Sequence, residues 1–161
     1  MSETTTSTAT EEQHLPRLII KGQYVKDLSF ENPKAPHGLV NMKAPPQMNV
    51  QVNLKANKLQ EKHYELALLL SAKASTDKEG KDVLFLIELA YAGIFMLENI
   101  PPEHLEQVVM TDCPFMLFPF ARRVIADVTR DGGLPPLMLD PVDFHAMYQH
   151  KKQSARQFGE S

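Results

Sequence analysis

The side chains that could carry out chemistry are few and scattered along the sequence. Six histidines stand at positions 14, 37, 63, 104, 145 and 150, and no pair of them has metal-ligand spacing on a convincing helical face. The segment His104-Leu105-Glu106 does not match the HExxH arrangement of zinc proteases. None of the seven glycines belongs to a GxGxxG or Walker loop that would cradle a phosphate. We therefore expect no metal and no cofactor.

Two further residues deserve separate treatment as candidates for catalysis. The single Cys113 excludes an intramolecular disulfide and any multi-cysteine metal site. As a nucleophile it would need a base partner that the sequence does not supply, so a buried structural thiol is the favoured interpretation. Glu88 interrupts an apolar strand, but one carboxylate does not make an acid–base pair. We expect Glu88 to face solvent or to pair across an interface, and we expect that the chain is not an enzyme.

Length, composition and charge limit the class of protein to which this chain can belong. The chain has 161 residues, enough for one domain, and 43% of them are hydrophobic. A net charge of −3 provides no basic footprint for nucleic acid. The longest apolar stretch, Val83 to Leu97, is broken by Glu88 and is too short to span a bilayer. No apolar signal segment opens the sequence, so we expect a soluble cytoplasmic protein.

The first half of the chain has the periodicity of β-strands. One strand is predicted from Leu18 to about Phe30, followed by a proline-rich crossover, Asn32 to Gln47, in which four prolines argue against regular helix. Met48 to Ala56 alternates apolar and polar residues with period two. The loop Asn57 to Lys62 then leads to another predicted strand, Tyr64 to Ser75.

The strand predicted for Val83 to Ala92 is apolar on both faces, apart from Glu88. A strand of this kind needs cover on both faces, and helices on one side of a small sheet supply it on one face alone. We therefore expect a second subunit to supply the other cover. The residues assigned to this oligomer interface are Ile87, Leu89 and Tyr91.

The second half of the chain is predicted to be helical. Pro101-Pro102-Glu103 suits a first helical turn, and Cys113-Pro114 is expected to interrupt the helix that follows. Phe118 to Arg130 then carries an amphipathic stripe. Gly132-Gly133 provides a stop, and Asp140 to Asp143 resembles an N-cap at Asp140 followed by proline. Strands followed by helices indicate an α+β protein. Its predicted divisions are a polar N-terminal tail (1–15), one domain (16–150) and a mildly basic tail (151–161).

Five sequence segments carry a resemblance to a known family. They are Tyr24-Val25-Lys26-Asp27-Leu28-Ser29-Phe30-Glu31-Asn32-Pro33, then Ala35-Pro36, then Gly93-Ile94-Phe95, then Cys113-Pro114-Phe115-Met116-Leu117-Phe118-Pro119-Phe120-Ala121-Arg122, and finally the segment from Gly132 to Phe144. In order and spacing these segments resemble the SecB family of bacterial protein-export chaperones, over residues 18 to 150.

This resemblance implies a four-stranded antiparallel sheet with helices packed on one face, assembling as a dimer of dimers. It also implies a chaperone that needs no ATP, binds unfolded secretory precursor polypeptides and delivers them to the SecA motor of the translocase. A SecB-like chaperone dedicated to another client, such as an antitoxin, is the alternative. A purely structural oligomerisation module, which predicts no affinity for unfolded chains, is a more distant one.

The residues expected to bind clients are apolar and come from two parts of the chain, with simple core packing as the alternative for each. Those near the crossover are Phe30, Leu39, Val40, Met42, Met48, Val50 and Val52. Those from the helical half are Leu134, Leu137, Phe144, Met147 and Tyr148. The resemblance assigns Asp27 and Glu31 to the SecA contact. The basic Lys151, Lys152 and Arg156 depart from the acidic C-terminal tail that family members often carry.

Overall fold

The computed structural model describes residues 15–159, with side chains up to residue 156, and shows one antiparallel sheet with its helices on a single face. The strands lie side by side in the order β1-β4-β3-β2. The strands are β1 (Arg17–Glu31), β2 (Gln47–Gln60), β3 (His63–Ser75) and β4 (Val83–Glu98). The helices are α1 (His37–Val40), α2 (Pro102–Asp131) and α3 (Phe144–Gly159). The predicted four-stranded α+β fold is confirmed.

Strand pairing divides the sheet into a helix side and an outer face. On the helix side, Leu66, Leu68 and Leu70 of β3 are buried in one core cluster with alternate residues of β4 and with α2. On the outer face, β4 presents the residues that alternate with the buried ones, among them Leu86, Glu88 and Ala90. Successive side chains of a strand point to opposite faces, so this register fixes which residues any groove or partner can reach.

Two strands are longer than the sequence predicts. β2 continues through the predicted loop to Gln60 and turns at Glu61 and Lys62, where Lys62 adopts a φ of 65°. β4 runs to Glu98 rather than ending at Ala92. In both cases pairing with β3 extends the strand past the point where the residue pattern weakens, because each added residue completes ladder hydrogen bonds.

The predicted interruption at Cys113-Pro114 is wrong, because α2 is one helix of 30 residues with Pro114 and Pro119 inside it. A proline in a helix interior removes a hydrogen bond and crowds the preceding turn. Here Cys113 and Leu117, on either side of Pro114, are fully buried in the core cluster. Packing of this inward face against the sheet outweighs the local penalty.

The ends of the helices follow the sequence signals with one shift. α2 begins at Pro102, and Gly132 and Gly133 end it, with the Gly132 N–H donating to the Val128 carbonyl at 2.9 Å. α3 is capped by Asp143, whose Oδ1 accepts a hydrogen bond from the Ala146 N–H at 3.0 Å, so the predicted cap at Asp140 is wrong. α3 continues past residue 150 to Gly159.

The crossover between β1 and β2 contains one turn of helix, α1, where no regular helix was expected. It is fastened to the start of β4 by an ion pair between Lys34 and Asp82, and Asp82 also accepts a hydrogen bond from Thr76. The predicted N-terminal tail lies, except for Leu15, outside the described residues. Within the described chain, the helices all fall short of the length and apolarity needed to cross a membrane.

Candidate functional site

Strand β2 forms an edge of the sheet and carries apolar side chains that the helices cover unevenly. Its helix-side residues are Met48, Val50, Val52, Leu54 and Ala56, opposite Ala74 to Leu66 of β3. Met48 and Val50 are 40% and 42% exposed, whereas Val52 and Leu54 are half-buried against the core. The period-two pattern therefore does not produce a fully covered strand. It produces an apolar strip that is half-buried in the middle and exposed toward both ends, at Met48 and Val50 and at Ala56.

A groove continues from this strip between the sheet and the two long helices. Cavities of about 180 and 600 Å³ lie between β2 and the helices, and a third of about 370 Å³ lies between α2 and α3. Met110 of α2 and Lys151 of α3 line all three. Because they share these residues, they form one continuous feature, called here the β2 groove. Its apolar lining includes Val52, Leu54, Leu105, Met110, Met147 and Tyr148.

A separate cavity of about 430 Å³ lies under the crossover. Met42 and Pro45 of the crossover contribute apolar surface to it, and Leu84 of β4 contributes to its wall. Leu84 is buried because α1 lies over it: a Cβ placed on Gly38 would approach the Leu84 side chain to 3.3 Å. The proline-rich crossover is thus a folded cover with a pocket beneath it.

The structure separates the predicted client-binding residues into four groups. Val52, Met147 and Tyr148 meet in the β2 groove. Val40, Met42, Met48 and Val50 are exposed, while Phe30, Leu39 and Leu137 are half-buried against the core. Leu134 and Phe144 are 6% and 3% exposed and belong to the core, where Phe144 packs edge-on against Phe118 at 6.0 Å between ring centroids. For these two residues the assignment to a client surface is wrong.

Sequence reasoning missed three residues that line the β2 groove, namely Leu54, Met110 and Lys151. Leu54 belongs to the same alternating pattern as Val52, and extending the predicted apolar strip by one more helix-side position would have included it. The only signal for Met110 in the sequence is that it is a methionine, because nothing in the sequence shows that α2 passes over β2. Lys151, which lines every part of the groove, was assigned to a tail.

Three carboxylates meet on the outer face at the β1–β4 pairing. Asp27, Ser29 and Glu31 project to this face, and Glu88 of β4 stands opposite Ser29, between the two acids. Asp27, Glu31 and Glu88 are all exposed. Glu88 is exposed in the single chain, as the expectation that it faces solvent or pairs across an interface requires. The three residues form an acidic strip on the face opposite the β2 groove.

A second polar cluster ties β1 to β3 across the outer face of β4. Glu65 is nearly buried and accepts hydrogen bonds from the Tyr24 hydroxyl and from Lys26 Nζ, the latter at 2.7 Å. The hydrogen bonds from Lys26 and Tyr24 hold the pKa of Glu65 below its ordinary value. Burial, followed by the adjacent Glu65, raises the pKa of Tyr24 to about 12. The cluster fastens the edge strand β1 to the sheet.

The predicted oligomer-interface residues lie inside the single chain. Ile87, Leu89 and Tyr91 are 0%, 3% and 7% exposed and pack in the core cluster beneath the chain's own α2. They therefore have no surface to offer a partner, and their assignment as interface contacts is wrong. The two-faced apolar pattern of β4 was correctly observed, but these residues belong to the face that the helices cover.

Exposed apolar surface lies instead on the outward side of α2. Phe115, Met116 and Phe120 are 70%, 38% and 42% exposed. Met116 and Phe120 are four residues apart and so lie on one helical face, with Phe115 beside them. Together they form the α2 stripe, which is unusual because a helix that faces solvent normally places polar residues there.

The single cysteine and the scattered histidines and carboxylates are considered over residues 15–159. Cys113 is fully buried, and desolvation, followed by the nearby Asp112, raises the pKa of its thiol to about 12. The interpretation of Cys113 as a structural thiol agrees with this environment. Within the described residues, no three His, Cys, Asp or Glu side chains are grouped so that they could hold a metal ion.

Comparison with known proteins identifies the family to which this arrangement belongs. Residues 11–155 match the family model described as preprotein translocase subunit SecB. The chain belongs to the SecB family. It is 49% identical over 145 residues to the protein-export protein SecB of Rhodopseudomonas palustris strain HaA2, covering 90% of both chains. It is 52% identical over 138 residues to that of Bradyrhizobium diazoefficiens, covering 86% of this chain and 84% of the relative.

The fold also matches a solved structure. A Mycobacterium tuberculosis SecB-like chaperone, solved with a ChAD peptide from an antitoxin, superposes with a TM-score of 0.63 at 15% identity, over 78% of this chain and 91% of that one. This likeness concerns the fold. Membership of the SecB family gives the chain a chaperone role in protein export, and it confirms that the chain is not an enzyme because SecB proteins are non-enzymatic chaperones.

Proposed function

We propose that the β2 groove, together with the open strip at Met48 and Val50, is where this SecB-family chain holds segments of unfolded precursor polypeptides. The observation that carries the proposal is the continuity of this apolar surface with an unpaired edge strand. An unfolded chain exposes apolar side chains and free backbone groups. The groove buries the side chains, and the backbone N–H and C=O groups along the outer edge of β2 pair with the extended client.

Holding a client in this way needs no nucleotide. Burial of about 1,000 Å² of apolar surface contributes up to roughly 25 kcal/mol before any opposing term. Ordering the client removes most of that gain, so affinity comes from many weak contacts rather than from one deep site. The shallow groove and the exposed strip at Met48 and Val50 fit this mode better than a closed pocket would.

Delivery to the SecA motor is the second part of the proposal. The acidic strip of Asp27, Glu31 and Glu88 is exposed and lies on the face opposite the groove, so a motor can contact it while a client occupies the groove. We expect Asp27→Lys combined with Glu31→Lys to weaken SecA binding and to leave client capture intact. Equal losses of both activities would show that the strip is not the motor contact. The dedicated-antitoxin alternative has weaker support, since relatives near 49% identity are export proteins.

Assembly as a homotetramer is the third part, and the α2 stripe is its best-supported interface. A contact between identical copies is usually two-fold symmetric, so the same stripe would lie on both sides of it. Phe115 and Phe120 are the large aromatic side chains that such interfaces favour. Two dimers joined in this way leave the β2 groove and the outer face of the sheet free for clients and motor. A cytoplasmic location belongs to the same proposal.

The groove is tested by diluting a denatured secretory precursor into buffer without nucleotide and following aggregation by light scattering. The wild-type chain is expected to suppress aggregation, and a variant with Met48→Asp and Val50→Asp is expected to lose much of that effect. Asn49→Asp is the matched control, because it adds a charge to the same strand on the outer face. Full suppression by the Met48/Val50 variant, with normal folding and particle mass, would place client binding elsewhere.

A further inference from the structure

Helix α3 forms one wall of the β2 groove, and its own position depends on α2. Met147 and Tyr148 of α3 line a cavity of the groove together with Val52 and Leu54 of β2. The helix packs mainly on α2 rather than on the sheet. The connector that joins the two helices, residues 132–143, therefore determines how α3 lies relative to β2.

A buried hydroxyl fastens this connector to α2. Thr129 lies two residues before the end of α2 and is fully buried. Its hydroxyl donates back to the Ile125 carbonyl at 2.9 Å, with the Ala126 carbonyl at 3.1 Å. A hydroxyl oxygen that donates can also accept, and here Oγ1 accepts a hydrogen bond from the Leu137 N–H at 2.9 Å. The Thr129 side chain therefore joins the last turns of α2 to the middle of the connector.

Two prolines make this hydrogen bond important to the connector. Pro135 and Pro136 have no N–H group, so Leu137 carries the first N–H that follows them. Leu137 is half-buried, and a buried N–H without a partner costs free energy comparable to that of a lost hydrogen bond. The Leu134 N–H donates to the carbonyl of the same Thr129 at 3.1 Å. Within the described residues, both hydrogen bonds that join residues 134–143 to α2 thus end on Thr129.

We propose that Thr129 is a positioning residue, whose hydroxyl holds the connector, and through it α3, where the β2 groove binds clients. This inference rests on the proposed client groove and adds to it a fully buried residue that acts through α3. Without the hydroxyl the connector is attached less firmly, and α3 lies away from β2 in a larger fraction of chains. The apparent affinity for a client falls in proportion to the fraction in which the groove is formed.

The variants that test this role separate the hydroxyl from the shape of the side chain. Thr129→Val removes the hydroxyl and keeps the shape, whereas Thr129→Ser keeps the hydroxyl. Thr111→Val is the matched control, because Thr111 is also buried in α2 and its hydroxyl donates to the Gln107 carbonyl at 2.7 Å. The control therefore loses a hydrogen bond within the same helix and leaves the connector attached.

Two measurements on the full-length proteins follow the groove and its wall separately. Fluorescence anisotropy gives the affinity for a labelled, uncharged peptide of apolar and serine residues, and hydrogen exchange gives the opening of α3. We expect Thr129→Val to bind the peptide about three- to tenfold more weakly and to exchange its α3 amides about tenfold faster, the range for one hydrogen bond. Exchange in β3 and β4 should stay unchanged. Thr129→Ser and Thr111→Val should match the wild-type protein in both measurements.

The outcomes separate this inference from the proposed function. Faster exchange of α3 in Thr129→Val with unchanged peptide affinity would overturn the inference and leave the client groove standing. Weaker binding without faster exchange of α3, or an equal loss in Thr111→Val, would show a general loss of helix stability and would also overturn it. If the wild-type protein itself fails to bind the peptide, both proposals are wrong. If Thr129→Val does not fold, Thr129→Ala, which also lacks the hydroxyl, is measured in its place against the same expectations.

Discussion

Truncation of Phe115 gives the most direct test of how this protein assembles. The ring is 70% exposed on the outward side of α2 and contributes little to the core of the single chain. Phe115→Ala should therefore leave the monomer fold intact, and alanine also has the higher helix propensity. If the α2 stripe is the contact between copies, the same substitution removes two aromatic anchors from each two-fold interface.

The size of the effect follows from the exposed area of the ring. A buried aromatic side chain covers about 150–250 Å², so roughly 140 Å² of Phe115 remains available to a partner. At about 25 cal/mol per Å², that area corresponds to about 3.5 kcal/mol for each copy, before any unfavourable term. Measured truncations of central interface residues are about 2–4 kcal/mol. We therefore expect a dissociation constant at least about 100-fold weaker, since each 1.4 kcal/mol is about tenfold.

The assay is particle mass against protein concentration, measured by sedimentation or by size-exclusion light scattering. Met138→Ala is a suitable control, because Met138 is 56% exposed in the connector between α2 and α3, away from the stripe. The control should keep the wild-type mass at every concentration. Far-ultraviolet circular dichroism verifies that both variants are folded. An unchanged dissociation curve for Phe115→Ala would refute the assignment of the α2 stripe as an interface.

Three further predictions concern the interior of the chain. Lys26 and Tyr24 hold the pKa of Glu65 below its ordinary value, so ionised Glu65 stabilises the fold above its unfolded-state pKa, and this contribution is lost as the pH falls through its folded-state pKa. Glu65→Gln should thus lower the unfolding free energy at neutral pH by about 1 kcal/mol and reduce the fall of Tm at acidic pH. A variant whose Tm falls with acid as steeply as that of the wild-type protein would contradict this. Cys113, buried and with a raised pKa, should react with a thiol reagent only at the rate of unfolding, and fast labelling of native protein would disprove its burial. Gly93→Ala should lower Tm by several degrees, because a Cβ there would lie 2.9 Å from a Leu117 methyl carbon, and an unchanged melting curve would show that α2 can move aside.

Local residue patterns predicted the strands well because period-two alternation and turn residues act over short distances. They predicted the first strand and the start of β4 to within about one residue, and missed the extensions that depend on pairing with β3. The continuity of α2 through Pro114 was beyond such reasoning, since it depends on the packing of Cys113 and Leu117 against the sheet. The family motifs supplied the order of the elements and their side of the sheet.

The binding surfaces were predicted less well, because a residue's type does not reveal what covers it. Ile87 and Met48 both lie on the helix side, yet the first is fully buried at the centre of the sheet and the second is 40% exposed on an edge strand. Position across the sheet, which is a long-range property, makes the difference. For the same reason Phe144 is a core residue, and Met147, one helical turn later, lines the groove.

The order of the strands also separates the proposed client surface from the proposed motor surface. β2 lies at one edge, and the groove beneath α2 and α3 opens there on the helix side. The acidic strip lies on the outer face at the β1–β4 pairing, on the far side of β3 from β2. Under the proposed function, a client bound along β2 and a motor bound at Asp27 and Glu31 would therefore not compete for the same atoms. In that scheme, transfer of the client would depend on changes in its own contacts with the groove, and a shallow groove that holds a client by many weak contacts suits transfer better than a deep apolar pocket would.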